Sequence, residues 1–326
     1  MTVVLRARDM STALDYRGAV DAVSEAFLAR TAANGATVSA SERSTVRFDD
    51  GWLRILSGTL PEQDLLGFKA FHQTGGTTVR YLCALYRLST GEPLALLDAQ
   101  ELTVVRTAAA AAAAARHHWA DAAIRVGVVG SGIQAREGLR ALASVCTVAA
   151  CKVYSRSAEN RTAFATDMSR VLDLEVVAVD RVRDAAADVD LLLCATHSTG
   201  DLAVEADELG DAAYVSSVGS TLPTQRELHH EIVGRAACVV VDTLDALDES
   251  GDLVEADRAG LLDRSRVVTM SAYLATERNS RSGGPTIYKS IGSVEQDLAV
   301  AGAAVRAATA RGIGETLSDI ESVKVV

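Results

Sequence analysis

The chain has 326 residues, 48% of them hydrophobic and 23% charged, with a formal net charge of −11. Interspersed acids and bases exclude a basic footprint for nucleic acid or an anionic membrane, and no apolar run is long enough to span a bilayer. Five cysteines, odd in number and without a CxxC pair, argue against a disulfide framework or zinc site and read as buried free thiols.

The length predicts about two domains, each able to bury a core. The opening Met1-Thr2-Val3-Val4-Leu5-Arg6 lacks a signal-peptide layout, so the expected location is cytoplasmic. Residues 13–33 carry Leu14, Ala19, Val20, Val23, Ala26, Phe27 and Leu28 at helical spacing, which predicts one amphipathic helix. Residues 37–97 are strand-rich, with candidates at 45–48, 52–56, 65–71, 81–86 and 93–98. Ser89-Thr90-Gly91-Glu92 has hairpin-turn chemistry. A helix over the eight alanines Ala108 to Ala115 follows; it is thin and lets backbone approach. Thr103 or the Arg106-Thr107 pair is expected at its start, where free N–H groups attract anions. Asp121 and Ala122 read as the joint into a second domain.

From residue 125 the pattern becomes β-α-β. Arg125 to Val129 reads as a buried strand, and Gly130-Ser131-Gly132-Ile133-Gln134-Ala135 carries the G-x-G-x-x-A spacing, with Leu139, Leu142 and Val145 continuing as a helix. Gly130 permits the tight turn, Gly132 keeps no side chain between backbone and pyrophosphate, and Ala135 packs helix on strand. The helix start offers N–H groups to phosphate. Further strands at 149–154, 175–179, 190–196, 213–219 and 238–242 make at least six in all, alternating with helices. This predicts a doubly wound parallel sheet, with ligands at the carboxyl ends of its strands. Thr196-His197-Ser198 and Val218-Gly219-Ser220-Thr221 end two of them. A last helix, Val294 to about Ala310, is expected to return to the N-terminal domain.

An NAD-type fold carries a carboxylate at the tip of the second strand. Here Ser155-Arg156-Ser157 stands there instead, which suits the 2′-phosphate of NADP(H), with NAD(H) remaining possible. His117-His118 reads as a dipole-compatible surface or interface pair, and His229-His230 lacks metal-ligand spacing, so no metal is expected. His197 reads as a cofactor-edge or loop residue, with a proton-shuttle role as the alternative. Tyr288-Lys289-Ser290 either orients cofactor or substrate or packs a strand end.

Several segments together resemble the ornithine cyclodeaminase/mu-crystallin family. They are Gly67-Phe68-Lys69, Thr90 to Ala95, Leu102 to Ala109, Gly130 to Ala135, Val218 to Pro223 with Arg226-Glu227-Leu228, and Tyr288 to Gly292 with Asp297. The resemblance implies a Rossmann doubly wound sheet, residues 121–299, inserted in a smaller α/β domain for substrate and dimerisation, residues 1–120 plus 300–326. It further implies a homodimer. By the same resemblance Arg43, Lys69 and Arg106 hold the carboxylate of a small amino or imino acid, and Gly130 to Gln134, Ser155 to Ser157, Thr196 to Ser198, Val218, Ser220 and Lys289 serve the cofactor. Lys69, set in an apolar strand, is the expected proton donor, with bound water as the alternative. Where the cyclodeaminases carry Gly-x-Asp-x-Pro, Thr221 replaces the acid, and threonine is no base at neutral pH. The resemblance therefore leans to the ketimine reductase branch: NAD(P)H-dependent reduction of a cyclic imino acid such as pyrroline-2-carboxylate or piperideine-2-carboxylate. A cyclodeaminase, an alanine-type dehydrogenase and a ligand binder with little turnover are the alternatives. Leu56, Phe71, His72 and Tyr273 are candidate pocket residues.

Overall fold

The computed structural model describes residues 1–32, 43–119, 122–198, 200–277 and 283–318. The joint residue Asp121 lies outside them. The chain forms two compact units, Met1–Arg106 with Ser293–Val326, and Thr107–Gly292. The boundaries therefore fall earlier than the expected 120/121 and 299/300. One lies inside a helix, because the alanine stretch belongs with the second unit. The other lies one residue before the first turn of the last long helix.

In chain order the first part holds β1 (Thr2–Leu5), α1 (Ala7–Ala13), α2 (Tyr16–Ala32), β2 (Ser44–Phe48), β3 (Gly51–Leu60), β4 (Leu65–Thr74), β5 (Val79–Arg87), β6 (Pro93–Asp98) and α3 (Ala99–Trp119). Then come β7 (Ala123–Val129), α4 (Ile133–Val145), β8 (Thr147–Tyr154), α5 (Ala158–Leu172), β9 (Val176–Ala178), α6 (Val182–Ala186), β10 (Leu191–Cys194), β11 (Tyr214–Ser217), α7 (His230–Gly234) and β12 (Cys238–Val241). The chain closes with α8 (Ala246–Glu249), α9 (Gly251–Arg258), β13 (Val267–Thr269), α10 (Met270–Ala275), β14 (Thr286–Lys289), α11 (Val294–Arg311) and β15 (Glu315–Leu317).

The first unit is a seven-stranded sheet in the order β15-β1-β6-β5-β4-β3-β2, antiparallel except for β1 on β6. The helix expected over 13–33 is α2, starting at Tyr16, and a short helix that the spacing did not predict, α1, precedes it and ends at Leu14 in extended backbone. Ala19, Val20, Val23, Ala26 and Phe27 are buried as the spacing predicts, while Leu28 is 41% exposed. Helix α11 packs on α1, α2, β3 and β4, so the last helix does return to the N-terminal sheet. Gly67 makes room for it: a Cβ there would meet Leu298 at 2.8 Å and the Ala84 carbonyl at 2.5 Å.

The second unit is an eight-stranded sheet in the order β13-β12-β14-β11-β10-β7-β8-β9, parallel throughout. It is the doubly wound sheet that the alternation predicts. Two strands add to the six expected: β13, absent from the expected elements, and β14, present among them only as the strand end in one reading of Tyr288-Lys289-Ser290. β14 enters between β11 and β12 although it follows both in the chain, which places Tyr288 and Lys289 in the middle of the sheet.

Candidate functional site

In the first unit the sheet register decides which side chains share a face. Lys69 on β4 stands opposite Leu56 on β3 and Cys83 on β5. Phe71 and Tyr81 lie on the same face one pleat along, with Trp52 against Phe71. His72 is one residue out of phase and faces the other way, so it leaves the set of pocket candidates. Lys69 is 2% exposed, and its Nζ lies 2.9 Å from Asp297 Oδ1 on α11 and 3.4 Å from the Thr103 hydroxyl. Arg106, 7% exposed, places Nε 3.2 Å from the same Asp297 oxygen and donates from a terminal nitrogen to Gln296 at 2.9 Å. Two buried cations thus share one carboxylate. Asp297 Oδ2 and Gln296 Nε2 are buried with no hydrogen-bond partner among the described residues. Burial, outweighing the attraction of Asp297 and reinforced by Arg106, lowers the Lys69 pKa to about 8. Arg43 is half-buried and immediately precedes β2, the strand paired to β3.

The route by which α3 delivers Arg106 differs from expectation. The helix begins at Ala99, and the Asp98 carboxylate accepts from the N–H groups of Gln100 and Glu101. Thr103, Arg106 and Thr107 therefore lie inside the helix, and Thr103 spends its hydroxyl on the Ala99 carbonyl at 2.7 Å. The first N–H groups of that helix are met by Asp98, so the positive charge near Thr103 is that of the Lys69 and Arg106 side chains.

In the second unit, Gly130 adopts φ +119°, and a Cβ there would lie 2.3 Å from the Ala195 carbonyl, so only glycine makes this turn. Gly132 opens α4 without a side-chain cap, and a Cβ there would meet nothing within 4 Å. Ser131 and Gln134 are half-buried and Ile133 is exposed. Gln134 Oε1 is buried and accepts no hydrogen bond among the described residues. An open turn, an uncapped helix start and an orphaned acceptor fit a dinucleotide. At the tip of β8, Arg156 is exposed, Ser155 donates to the Ser157 carbonyl, and the Ser157 hydroxyl caps α5 by accepting from Asn160. Arg161, unremarked in the sequence, donates to the Ser155 carbonyl at 3.1 Å and pairs with Asp180.

At the ends of β10 and β11, Thr196 and Ser198 are half-buried and His197 is exposed. Val218 is buried at 6%, and Thr221 is half-buried, its N–H donating to Gln225 Oε1 at 3.2 Å. Lys289 and Ser220 correct the sequence reading. Both are fully buried, and the Lys289 ammonium meets three acceptors, Ser217 and Ser220 hydroxyls at 2.9 and 2.7 Å and Asp252 Oδ2 at 2.9 Å. An ammonium has three N–H donors, so none is left for a cofactor. The Ser220 hydroxyl donates to Asp252 at 3.0 Å. Glu227 and Asp252 organise this region; the sequence reading uses Glu227 only as part of the Arg226-Glu227-Leu228 resemblance, with no role, and does not single out Asp252, because an isolated acid near a loop reads as a surface charge. The flanking buried run Leu253 and Ala256 was the available signal.

The histidines also move. His118 Nδ1 lies 3.0 Å from the Tyr273 hydroxyl and its ring packs on Tyr214, while His117 packs on Tyr273. Burial lowers the His118 pKa to about 4, so it is neutral near pH 7 and gains nothing from a helix dipole. Tyr273, at 5% exposure, belongs to this packing and not to a pocket lining. His229, His230 and Glu231 bring ligand atoms within 4.8 Å of one another, with His229 Nδ1 accepting from the Glu231 N–H at the start of α7. The five cysteines are all buried and free, and burial pushes the Cys146 and Cys151 thiols up to about 11 and 12. Among the described residues no helix is long and apolar enough to cross a membrane.

A doubly wound parallel sheet with this turn, in a chain whose first unit buries paired cations, defines a dinucleotide-binding α/β enzyme class. The chain belongs to the ornithine cyclodeaminase/mu-crystallin family, whose model matches residues 1–312, and is an enzyme of its NAD(P)-dependent oxidoreductase or cyclodeaminase type. It is 28% identical over 247 residues to a Delta(1)-pyrroline-2-carboxylate reductase of Bacillus cereus, covering 74% of this chain and 75% of the relative. It is 27% identical to an alanine dehydrogenase of Archaeoglobus fulgidus over 97% of this chain and 98% of that one. Among solved structures, the Delta(1)-pyrroline-2-carboxylate reductase of Thermococcus litoralis in complex with NADH and L-proline is similar with a TM-score of 0.87 and 25% identity, over 97% of this chain and 100% of that chain.

Proposed function

We propose that the protein is an NAD(P)H-dependent reductase of a small cyclic imino acid, a pyrroline- or piperideine-2-carboxylate, giving the amino acid. The observation that carries this reading is the buried pair Lys69 and Arg106 sharing the single carboxylate of Asp297. Two buried cations against one anion leave a net positive charge that a substrate carboxylate neutralises, and Arg106 can grip it through its fork. Lys69, with a pKa near 8, holds a proton at Nζ for the imine nitrogen. Arg43 is the third proposed cation. When bound, NAD(P)H supplies the hydride; Gly130, Ser131, Gly132, Ile133 and Gln134 would hold its pyrophosphate, and Thr196 its nicotinamide half. Thr221, offering a hydroxyl and no carboxylate, supports reduction over cyclising deamination, since it can hydrogen-bond the nitrogen or a water but cannot act as a base there.

Exposed Arg156 at the β8 tip, with Arg161 behind it, supports preference for the 2′-phosphate of NADPH. A second copy of the chain is the proposed partner of the first unit. On the sheet face opposite Lys69, Val46, Leu66 and Leu82 remain 58%, 36% and 47% exposed, and the register places Phe68 and Ile55 on the same face.

The test is one spectrophotometric panel. NADPH and NADH consumption is followed with both cyclic imino acids and with pyruvate plus ammonia or methylamine, and ammonia release is followed from ornithine with NAD. Rapid NADPH loss with a cyclic imino acid is the expected outcome. Ammonia release from ornithine without net cofactor turnover would overturn the reductase reading in favour of a cyclodeaminase, and turnover confined to pyruvate plus ammonia would favour the alanine-type dehydrogenase.

A further inference from the structure

Glu227 is fully buried at the carboxyl edge of the parallel sheet, and among the described residues no ion pair is made to it directly. Its two oxygens divide their donors between two adjacent strands. Oε1 accepts from the Thr196 backbone N–H at 2.6 Å and the Thr196 hydroxyl at 2.9 Å, just past the end of β10. Oε2 accepts from the Ser217 hydroxyl at 2.7 Å and the Gly219 N–H at 2.9 Å, at the end of β11. The two strands are neighbours, with Cys194 beside Ser217. Beyond that pairing their segments approach so closely that a Cβ on Gly219 would lie 2.1 Å from the Thr196 carbonyl and 2.5 Å from Glu227 Oε1. The Val218 N–H still donates to the Cys194 carbonyl at 3.0 Å, and past that bond the Glu227 carboxylate bridges the two segments.

Glu227 is itself fastened from behind. Asp252 Oδ1 accepts from the Glu227 and Leu228 N–H groups at 2.7 and 2.9 Å, and Asp252 Oδ2 pairs with Lys289 at 2.9 Å. Lys289 extends from β14 in the centre of the sheet. The chain of contacts runs from a central strand through a buried ion pair to a carboxylate that clamps two strand ends. Each oxygen faces one backbone N–H, of Thr196 or of Gly219, which can only donate, so exchanging either oxygen for an NH₂ group sets donor against donor in a buried place.

We propose that Glu227 is a positioning residue for dinucleotide binding: it fixes the spacing of segments 196–198 and 218–221, and Asp252 with Lys289 holds it in register. This rests on the reading that those segments meet the cofactor, so binding is measured directly, without substrate. NADPH and NADH are titrated against the full-length protein by fluorescence, for wild type, Glu227→Gln and Gly219→Ala. Val239→Ala, a cavity in mid-strand β12, serves as a control for lost stability, with melting temperatures recorded for all. The expected result is a Kd raised about tenfold or more in both clamp variants, and a wild-type Kd in the Val239 variant at a comparable melting temperature. If Glu227→Gln does not fold, Gly219→Ala carries the test, since it pushes the segments apart with the carboxylate intact. A wild-type Kd in either folded clamp variant overturns the proposal, as does an equal loss in the Val239 variant. Dinucleotide binding with the expected clamp effect, but no imine reduction, would overturn the proposed reaction and leave the positioning role standing. A wild-type protein that binds neither dinucleotide would overturn both.

Discussion

Lys69 is a lysine that loses its proton near the upper end of the physiological range, because burial outweighs the pull of Asp297 and Arg106 adds repulsion. If the ammonium delivers the proton, kcat falls as pH rises through about 8. The same shift acts the other way on folding. An unfolded lysine keeps its proton up to about 10.5, so between about 8 and 10.5 rising pH favours the folded state with respect to this group. An alkaline loss of turnover is thus separable from unfolding by a parallel melting curve. In Lys69→Ala the limb disappears along with about 100-fold or more of kcat; unchanged turnover would remove Lys69 from the mechanism. Arg156 makes a second residue-scale prediction. Arg156→Ala raises KM for NADPH about tenfold and leaves KM for NADH within about twofold, measured by steady-state kinetics with each cofactor. Equal changes for both cofactors would show that Arg156 does not read the 2′-phosphate.

Among the elements, α3 owes its place to having almost no side chains. Ala108 through Ala115 are each 2% exposed or less, so every face of two helical turns is buried, which a helix with larger residues could not achieve in the same space. Ala112, fully buried, is a sensitive probe. Ala112→Leu is expected to cost about 1–3 kcal/mol through overpacking, read as a lower urea midpoint at unchanged m-value; an unaltered midpoint would mean that the helix has slack around it. At the opposite end of the second unit's first strand, the β7–α4 turn depends on Gly130 alone for its positive φ, whereas Gly132 is required by nothing in the chain itself and leaves space at the helix start.

For the molecule as a whole, the question is what covers the outer face of the seven-stranded sheet. A face holding Val46, Leu66 and Leu82 in the open is costly in water. With a second copy as the occupant, Leu82→Asp converts the assembly from dimer to monomer in sedimentation equilibrium. The substitution alters one exposed side chain, so the far-UV spectrum is retained. A wild-type protein that sediments as a monomer would refute the proposed pairing outright.

Local physics made much of this legible without coordinates. The strand-turn-helix at residues 125–145 was readable because buried parallel strands are continuous apolar runs and because G-x-G-x-x-A answers a backbone need, and both are local in sequence. Lys69 and Arg106 were visible because a cation in an apolar strand or beside an alanine run is out of keeping with its neighbours. The short helix α1 ahead of Leu14 and the true start of α3 at Ala99 were not legible because hydrophobic spacing does not mark a cap, and a cap is a matter of hydrogen bonds. Tertiary structure alone decided that Lys289 faces inward. β14 enters the sheet out of chain order, and strand order across crossovers is not written in any local pattern. It alone also brought Asp297 to Lys69 and Glu227 to Thr196, which are 228 and 31 residues apart. Such pairings are fixed only when packing excludes water and leaves each buried charge dependent on the one partner within reach.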